Sequence, residues 1–418
     1  MNRRDLLKTG GAGLFLGSSG FPVISMAVNR KPTLRVMGTH VTLQESIRRQ
    51  AEQDLGFNIE FYPGGSAEVL FRAATDPAAF DLYEQWSNSI RVLWQANAIR
   101  TIDVDRLRYW PEINDLPKTG RITPDSPMGR GDAPNKLLFV QDDGTLASAP
   151  SGRVSFLPYV HNTDSFGYNS DDVPAGVPYE TESWGWLLDS RHQGRVAVVN
   201  APSIGLFDLA LAAQAQGLMS FRDIGQMSRH EVDQLFEILI DFKRRGHFRG
   251  VWSSVPHSMD LMARGDVSIE SMFSPAATGL RGRGVPCIYA APKEGYRAWY
   301  GVMCLSAAVD REHEDMAYAY MNWWLSGWPG AFIARQGYYI ANPERSRKYL
   351  APEEWDYWYM GEPAAYPLKG SDGRISVSEG ERRRGGSYHR RFANVAVWNT
   401  VMETYEYSLT KWKEFLLA

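Results

Sequence analysis

Apolar and polar positions along this chain keep two rhythms, and one gives way to the other at regular intervals. Thr33-Leu34-Arg35-Val36-Met37 reads as a strand, and Val41 to Leu55, with apolar residues at helical spacing, as a helix. Asn58-Ile59-Glu60-Phe61-Tyr62 is a second strand, turned by Pro63-Gly64-Gly65. Ala67 to Thr75 is a second helix, and Ala79-Phe80-Asp81-Leu82-Tyr83 a third strand. Strands alternating with helices of about 10 to 15 residues predict an α/β fold with a parallel sheet covered by helices. The block from Ile113 to Gly152 is rich in Pro, Gly and Asp and is expected to be irregular.

A second alternation begins near Phe156. Ser165 to Asn169 and Arg195 to Val199 read as strands, and Leu206 to Gln216 as an amphipathic helix. Arg229 to Arg245 is another helix, with Val232, Leu235, Ile238 and Leu239 on one face. Ser258 to Ala263 gives a short helix, and Asp266 to Met272, Cys287 to Ala291 and Gly301 to Ala307 three more strands. Glu314 to Leu325 is a helix rich in Trp and Tyr, and Glu353 to Ala418 is expected to be largely helical.

The first 27 residues stand apart. Arg3-Arg4 is followed by Asp5, two leucines and Lys8, then by a short Gly-rich apolar run that ends in Ser25-Met26-Ala27. This is the layout of a twin-arginine export signal with small residues before the cleavage point. Five glycines between Gly10 and Gly20 make a basic helix of the mature fold a poor alternative. The expected destination is the periplasm. No Cys in this region offers a lipid anchor, and no run of 18 apolar residues predicts a membrane span.

About 390 residues then remain, which favours two domains. The formal charge of the whole chain is -3, ordinary for a soluble protein and contrary to a nucleic-acid partner. Cys287 and Cys304 are the only cysteines, and one disulfide or two buried thiols both remain open. The eight histidines show no H-x-x-x-H or H-E-x-x-H spacing, and there is no G-x-S-x-G elbow or Walker loop. Neither metal, cofactor nor catalysis is therefore expected. Glu381-Arg382-Arg383-Arg384-Gly385-Gly386 could grip an anion or form a solvated loop. The 14 Trp, 20 Tyr and 18 Phe matter more, because many lie beside Gly, Pro, Ser or Asn, as walls of a ligand cleft would.

Seven short stretches are specific when taken in order: Leu34-Arg35-Val36, Phe80-Asp81-Leu82, Ser165 to Asn169, Gln193 to Ala197, Ala291 to Gly295, Ala317 to Trp324 and Gly337 to Asn342. Together they resemble the spermidine/putrescine-type periplasmic solute-binding proteins of ABC importers, over nearly all of residues 31 to 345. The resemblance implies a two-lobed periplasmic binding protein fold of type II, with the ligand cleft between lobes and strands crossing between them. Lobe one would hold residues 31–157 and 297–341, and lobe two 158–296 with 342–418 as a helical tail. It implies a monomeric, non-catalytic binder whose partners are a small solute and an ABC permease.

Carried over residue by residue, the cleft of this family falls on Thr39, His40, Trp86, Asn88, Ser203, Ser274, Trp299 and Tyr338. The carboxylates that hold polyamine ammonium groups have no match: the loop after Val199 reads Asn200 to Gly205, and Gly301 stands where the crossing strand carries Asp. Ammonium groups stripped of water without such partners cost several kcal/mol each. A zwitterionic or anionic solute, such as an amino-acid or sugar-acid derivative, fits better than spermidine or putrescine. Glu84 and Glu270 are left as candidate anionic contacts or ordinary residues.

Overall fold

The structure is a computed structural model that describes residues 32–418; the segment read as an export signal lies outside them. The first alternation folds as β1 (Thr33–Gly38), α1 (Glu45–Leu55), β2 (Asn58–Pro63), α2 (Ser66–Thr75) and β3 (Leu82–Trp86). Alternate apolar residues bury Leu34 and Val36, and the 3.6-residue period buries Ile47 and Ala51. Helix α1 stops at Gly56, whose φ of 78° closes the last turn through a bond to the Glu52 carbonyl. β3 starts three residues later than its apolar run suggests. Pro77 to Ala79 form a 3-10 turn instead, because Pro77 has no N–H for a ladder and the Asp81 carboxylate takes the Arg35 N–H at 2.7 Å.

The second alternation comprises β4 (Leu157–Asn169), β5 (Val196–Val199), α3 (Pro202–Ala215), α4 (Arg229–Arg244), β6 (Phe248–Trp252), α5 (Val255–Ala263), β7 (Ile269–Met272) and α6 (Ser274–Gly282). After it come β8 (Tyr296–Ser306), α7 (Arg311–Trp324), β9 (Val395–Trp398) and α8 (Tyr405–Leu417). The main strands hydrogen-bond in the order β6-β5-β7-β4-β8-β3-β1-β2. Parallel pairs lie at either end, while β4 and β8 run antiparallel in the middle, from Arg297 opposite Asp164 to Met303 opposite Leu157. Beyond Asp164, β4 pairs with β7; beyond Tyr300, β8 pairs with β3. Two strands thus belong to both halves of the molecule.

Two expectations are corrected. Helix α3 is not amphipathic: every residue from Ser203 to Ala213 is buried, because α3 lies between the sheet and helices α4 and α8. The tail is not largely helical either. It holds a hairpin of Leu368–Lys369 and Ile375–Val377, a short helix and β9 before α8 begins. The apolar Val395-Ala396-Val397-Trp398 run is drawn into the sheet, pairing in parallel with Tyr296 to Ala298 of β8. The two cysteines are both buried free thiols. Among the described residues no helix is long and apolar enough to cross a membrane, and no metal-holding group of His, Cys, Asp and Glu is gathered.

Candidate functional site

The C-terminal ends of β1, β2 and β3 face those of β5, β6 and β7 across a cavity of about 910 Å³. Ligands of parallel sheets sit at this end of the strands, since the chain turns there into helix N-termini and leaves loops free to specialise. Thr39, His40 and Val41 come from the loop after β1, Gly64 to Glu68 from that after β2, and Trp86 closes β3. From the other side come Val199 to Pro202 after β5, Trp252 to Pro256 after β6, and Phe273 and Pro275 after β7.

Four helices of nine or more residues begin at this cavity: α2, α3, α5 and α6. Three of them, entered through Gly65, Ala201 and Phe273, have no side-chain cap on their first amides. Only α5 is capped, by the Ser254 hydroxyl accepting from the His257 N–H. Each N-terminus carries roughly half a positive charge and unsatisfied N–H groups. Glu68 in the first turn of α2 offsets one of these positive ends, whereas the first turns of α3 and α6 carry no acidic residue.

Aromatic rings make its floor. Trp86 meets Trp299 edge-on at 6.5 Å, and Trp299 meets Tyr338 at 5.4 Å; opposite, Trp252 and Phe273 stand at 5.0 Å. Gln44 and Gln336 exchange hydrogen bonds at 3.0 and 2.9 Å and hold the loop after β1 to the Tyr338 loop.

Of the residues chosen from the sequence, Thr39, His40, Trp86 and Tyr338 line the main cavity. Trp299 lies one layer deeper, 4% exposed, in a small void under the floor that it shares with Asp164 and Asn399. Asn88, Ser203 and Ser274 are buried and do not line the cavity; Ser274 packs beside Gly337, where an added Cβ would meet its Oγ. Gly301 is also off the cavity, and a Cβ there would stand 2.6 Å from the Val160 carbonyl. No acidic side chain could take that place without moving the neighbouring strand.

Neither Glu84 nor Glu270 faces the cleft. Glu84 is wholly buried, accepts from the Thr42 hydroxyl at 2.6 Å and the Tyr159 hydroxyl at 3.1 Å, and is pushed by burial up to about 7. Glu270 accepts from Ser258 at 2.9 Å, and burial raises it well above the usual range. Under the floor, Asp164 accepts from Asn162 and Tyr289, both at 3.1 Å, and faces Arg297 at 3.5 Å. Arg297 also donates to Asp208 at 2.6 Å and to Asn399 at 3.0 Å. The acids that line the open cavity are Glu68 and Asp372, both exposed.

Sequence reasoning missed the loops after β2 and β6 and the tail segment Gly370 to Ser376, all of which line the cavity. The first two follow parallel strands at their C-terminal ends and were legible from that rule. The third had no local signal.

A family model for bacterial extracellular solute-binding proteins matches residues 50–355. No curated protein matches the chain. Among solved structures, a putative spermidine/putrescine ABC transporter protein from Listeria monocytogenes is 14% identical, with TM-score 0.64 over 92% of this chain and 98% of that one. The spermidine/putrescine substrate-binding protein of Streptococcus pneumoniae is 12% identical, with TM-score 0.60 over 92% and 99%. The binding protein MotA from A. tumefaciens, solved with glucopine, is 11% identical, with TM-score 0.59 over 92% and 100%. At these identities the likeness is one of fold, and it extends over nearly the whole of each chain. The chain belongs to the bacterial extracellular solute-binding proteins and has their two-lobed α/β fold.

Proposed function

We propose that this protein is the solute-capturing component of an ABC importer, and that its cargo is a small organic acid or zwitterion rather than a polyamine. The observation that carries the reading is the convergence of four helix N-termini on one cleft, three of them uncapped. A carboxylate placed there gains N–H donors and favourable dipoles, of order 0.3 to 1 kcal/mol each at exposed sites and more when desolvated. An ammonium group there would meet the same dipoles with the wrong sign. Asp164, the carboxylate under the floor, is already committed to Arg297 and to neutral donors. The rings of Trp86, Trp252, Phe273 and Tyr338 supply flat apolar faces on which the rest of a solute can lie.

The lobe partition expected from sequence places two of its three boundaries at the start of a shared strand, so closure would bend β4 and β8 between the halves. Export through the twin-arginine route, a periplasmic location and delivery to an inner-membrane permease complete the proposal. Isothermal titration of the protein with gluconate, glutamate, agropinic acid and spermidine tests it. At least one acid binding more tightly than spermidine, and recovered unchanged, is the expected result. Submicromolar spermidine affinity with no acid binding would overturn the cargo class, and chemical turnover of any of them would overturn the binder.

A further inference from the structure

The family match ends at residue 355, yet the wall of the cleft does not. Beyond that point Leu368–Lys369 and Ile375–Val377 pair as an antiparallel hairpin, and its turn brings Gly370, Ser371 and Asp372, with Ser376, to the cavity. The hairpin packs on α6, and Glu381, just past it, pairs with Arg281 of that helix at 2.7 Å. On the other side, a Cβ on Gly370 would come within 3.7 Å of the Arg335 carbonyl. The segment therefore spans the cleft from one half of the molecule to the other.

Its polar atoms are only partly spent on the fold. Ser376 is 4% exposed, and its Oγ has no hydrogen-bond partner although the residue lines the cavity. Asp372 accepts through Oδ1 from the Arg374 N–H at 3.0 Å, which leaves acceptor capacity on both oxygens. Both groups border Gly370: a Cβ there would sit 3.3 Å from Asp372 Oδ1, on an exposed side chain, and 3.4 Å from the buried, unpartnered Ser376 Oγ. A carboxylate that accepts beside a hydroxyl that donates or accepts is the donor and acceptor set that neighbouring hydroxyl groups require.

The hairpin also stands at the correct remove from the electropositive pole. Phe273, Pro275, Thr278, Gly279 and Arg283 line the cavity along the whole of α6, and the hairpin packs near its C-terminal end, where Gly282 approaches Arg374 and Ile375. Nine residues of helix span roughly 13 Å. We propose that the hairpin is the specificity element of the cleft and selects hydroxylated acids, with the carboxylate at the helix N-termini and a chain of hydroxyl groups running along α6 to Asp372 and Ser376. The proposal rests on the acid-binding reading given above.

Two probes of equal chain length separate the contributions: gluconate, with a hydroxyl on every carbon after its carboxylate, and hexanoate, with none. In titrations of the full protein, gluconate is expected to bind at least tenfold more tightly than hexanoate. The Asp372→Asn/Ser376→Ala double variant should shrink that ratio to about twofold. Gly370→Ala, which removes no polar atom and whose position does not need a left-handed backbone, should shrink it as well by placing a methyl group 3.3 to 3.4 Å from both oxygens, where a ligand hydroxyl would have to approach. Equal affinity for the two acids in the unaltered protein, or a ratio that survives all these changes, overturns the hairpin reading and leaves the acid-binding cleft standing. Failure of gluconate to bind at about 10 mM, only a few kcal/mol of affinity, while glutamate or agropinic acid binds, overturns the hairpin reading alone; failure of all these acids overturns both.

Discussion

On the cleft side of the crossing strands, Asn162, Asp164, Arg297 and Trp299 project from β4 and β8; on the opposite side, His161 and Tyr300 project from the same two strands. The first side holds three formal charges in full burial: Arg297 between Asp164 and Asp208. The second holds two buried guanidinium groups set against rings instead of carboxylates, Arg383 over Tyr339 at 4.7 Å and Arg391 over Tyr296 at 4.6 Å. There His161 stacks on Tyr300 at 4.3 Å, and Tyr339, with Tyr388 and Phe392 from the tail, closes around it. Alternation along a strand lets one hinge carry an ionic face and an aromatic face. The ionic face depends on mutual pairing and the aromatic face on keeping its histidine neutral. The same backbone solves burial in two ways.

The largest effect should come from breaking the pairing. Arg297→Met leaves two buried carboxylates without their cation, and loss of one partner from such a site costs about 3–5 kcal/mol. Urea unfolding should show that loss, whereas a change under about 1 kcal/mol would mean that water or protonation already relieves the cluster. On the aromatic side, Tyr388→Phe removes the hydroxyl that stands 2.8 Å from His161 Nε2 and accepts from Asn114 at 2.9 Å. That should cost about 1–3 kcal/mol by the same measurement, since two buried polar groups lose a partner.

The subtlest contrast is in pH. Burial pushes Asp208 up to about 6, so between its ordinary 3.8 and 6 the folded protein holds a proton that the unfolded chain has released; stability from this site is lost as pH rises through that window. Burial pushes His161 down to about 3, so between 3 and 6.5 the unfolded chain holds the extra proton and stability from this site grows as pH rises. Asp208→Asn should therefore make the rise of stability with pH between 4 and 6 steeper, and His161→Gln should flatten it. Chemical denaturation across that range reads both slopes; identical slopes in the two variants would show that neither group titrates as its burial implies.

Legibility of the sequence followed the same division between local and distant causes. β1, β2, α2, β5 and α4 were readable because their burial follows from their own period, as in Leu34 and Val36 or Val232, Leu235 and Leu239. Helix α3 was misread because its second apolar face answers to Trp412 and Phe415, two hundred residues on. Thr39, His40, Trp86 and Tyr338 were placed at the cleft by the resemblance, and all four line the cavity, Trp86 at the end of β3 and Thr39 and His40 just past β1. For Ser203, Ser274 and Asn88, a side chain one position along a turn points inward, and only packing decides that. The hairpin was invisible in sequence, since Asp372 and Ser376 reach the cavity through contacts with α6.

Strand β9 has a consequence for the order in which the molecule can be built. Val395 to Trp398 pair with β8 about a hundred residues earlier, and the Arg130 carbonyl accepts the Trp398 N–H while the Arg130 N–H donates to Ala396. The stretch around Arg130 leaves the ribosome long before its partner strand exists, and waits some 270 residues for it. Pairings so far apart must close a long loop before any contact rewards them, which makes them slow. Both parallel half-sheets can form from shorter-range contacts in the meantime. Strand β9, seated beside the crossing strand β8, is therefore expected to be among the last parts of the sheet to assemble.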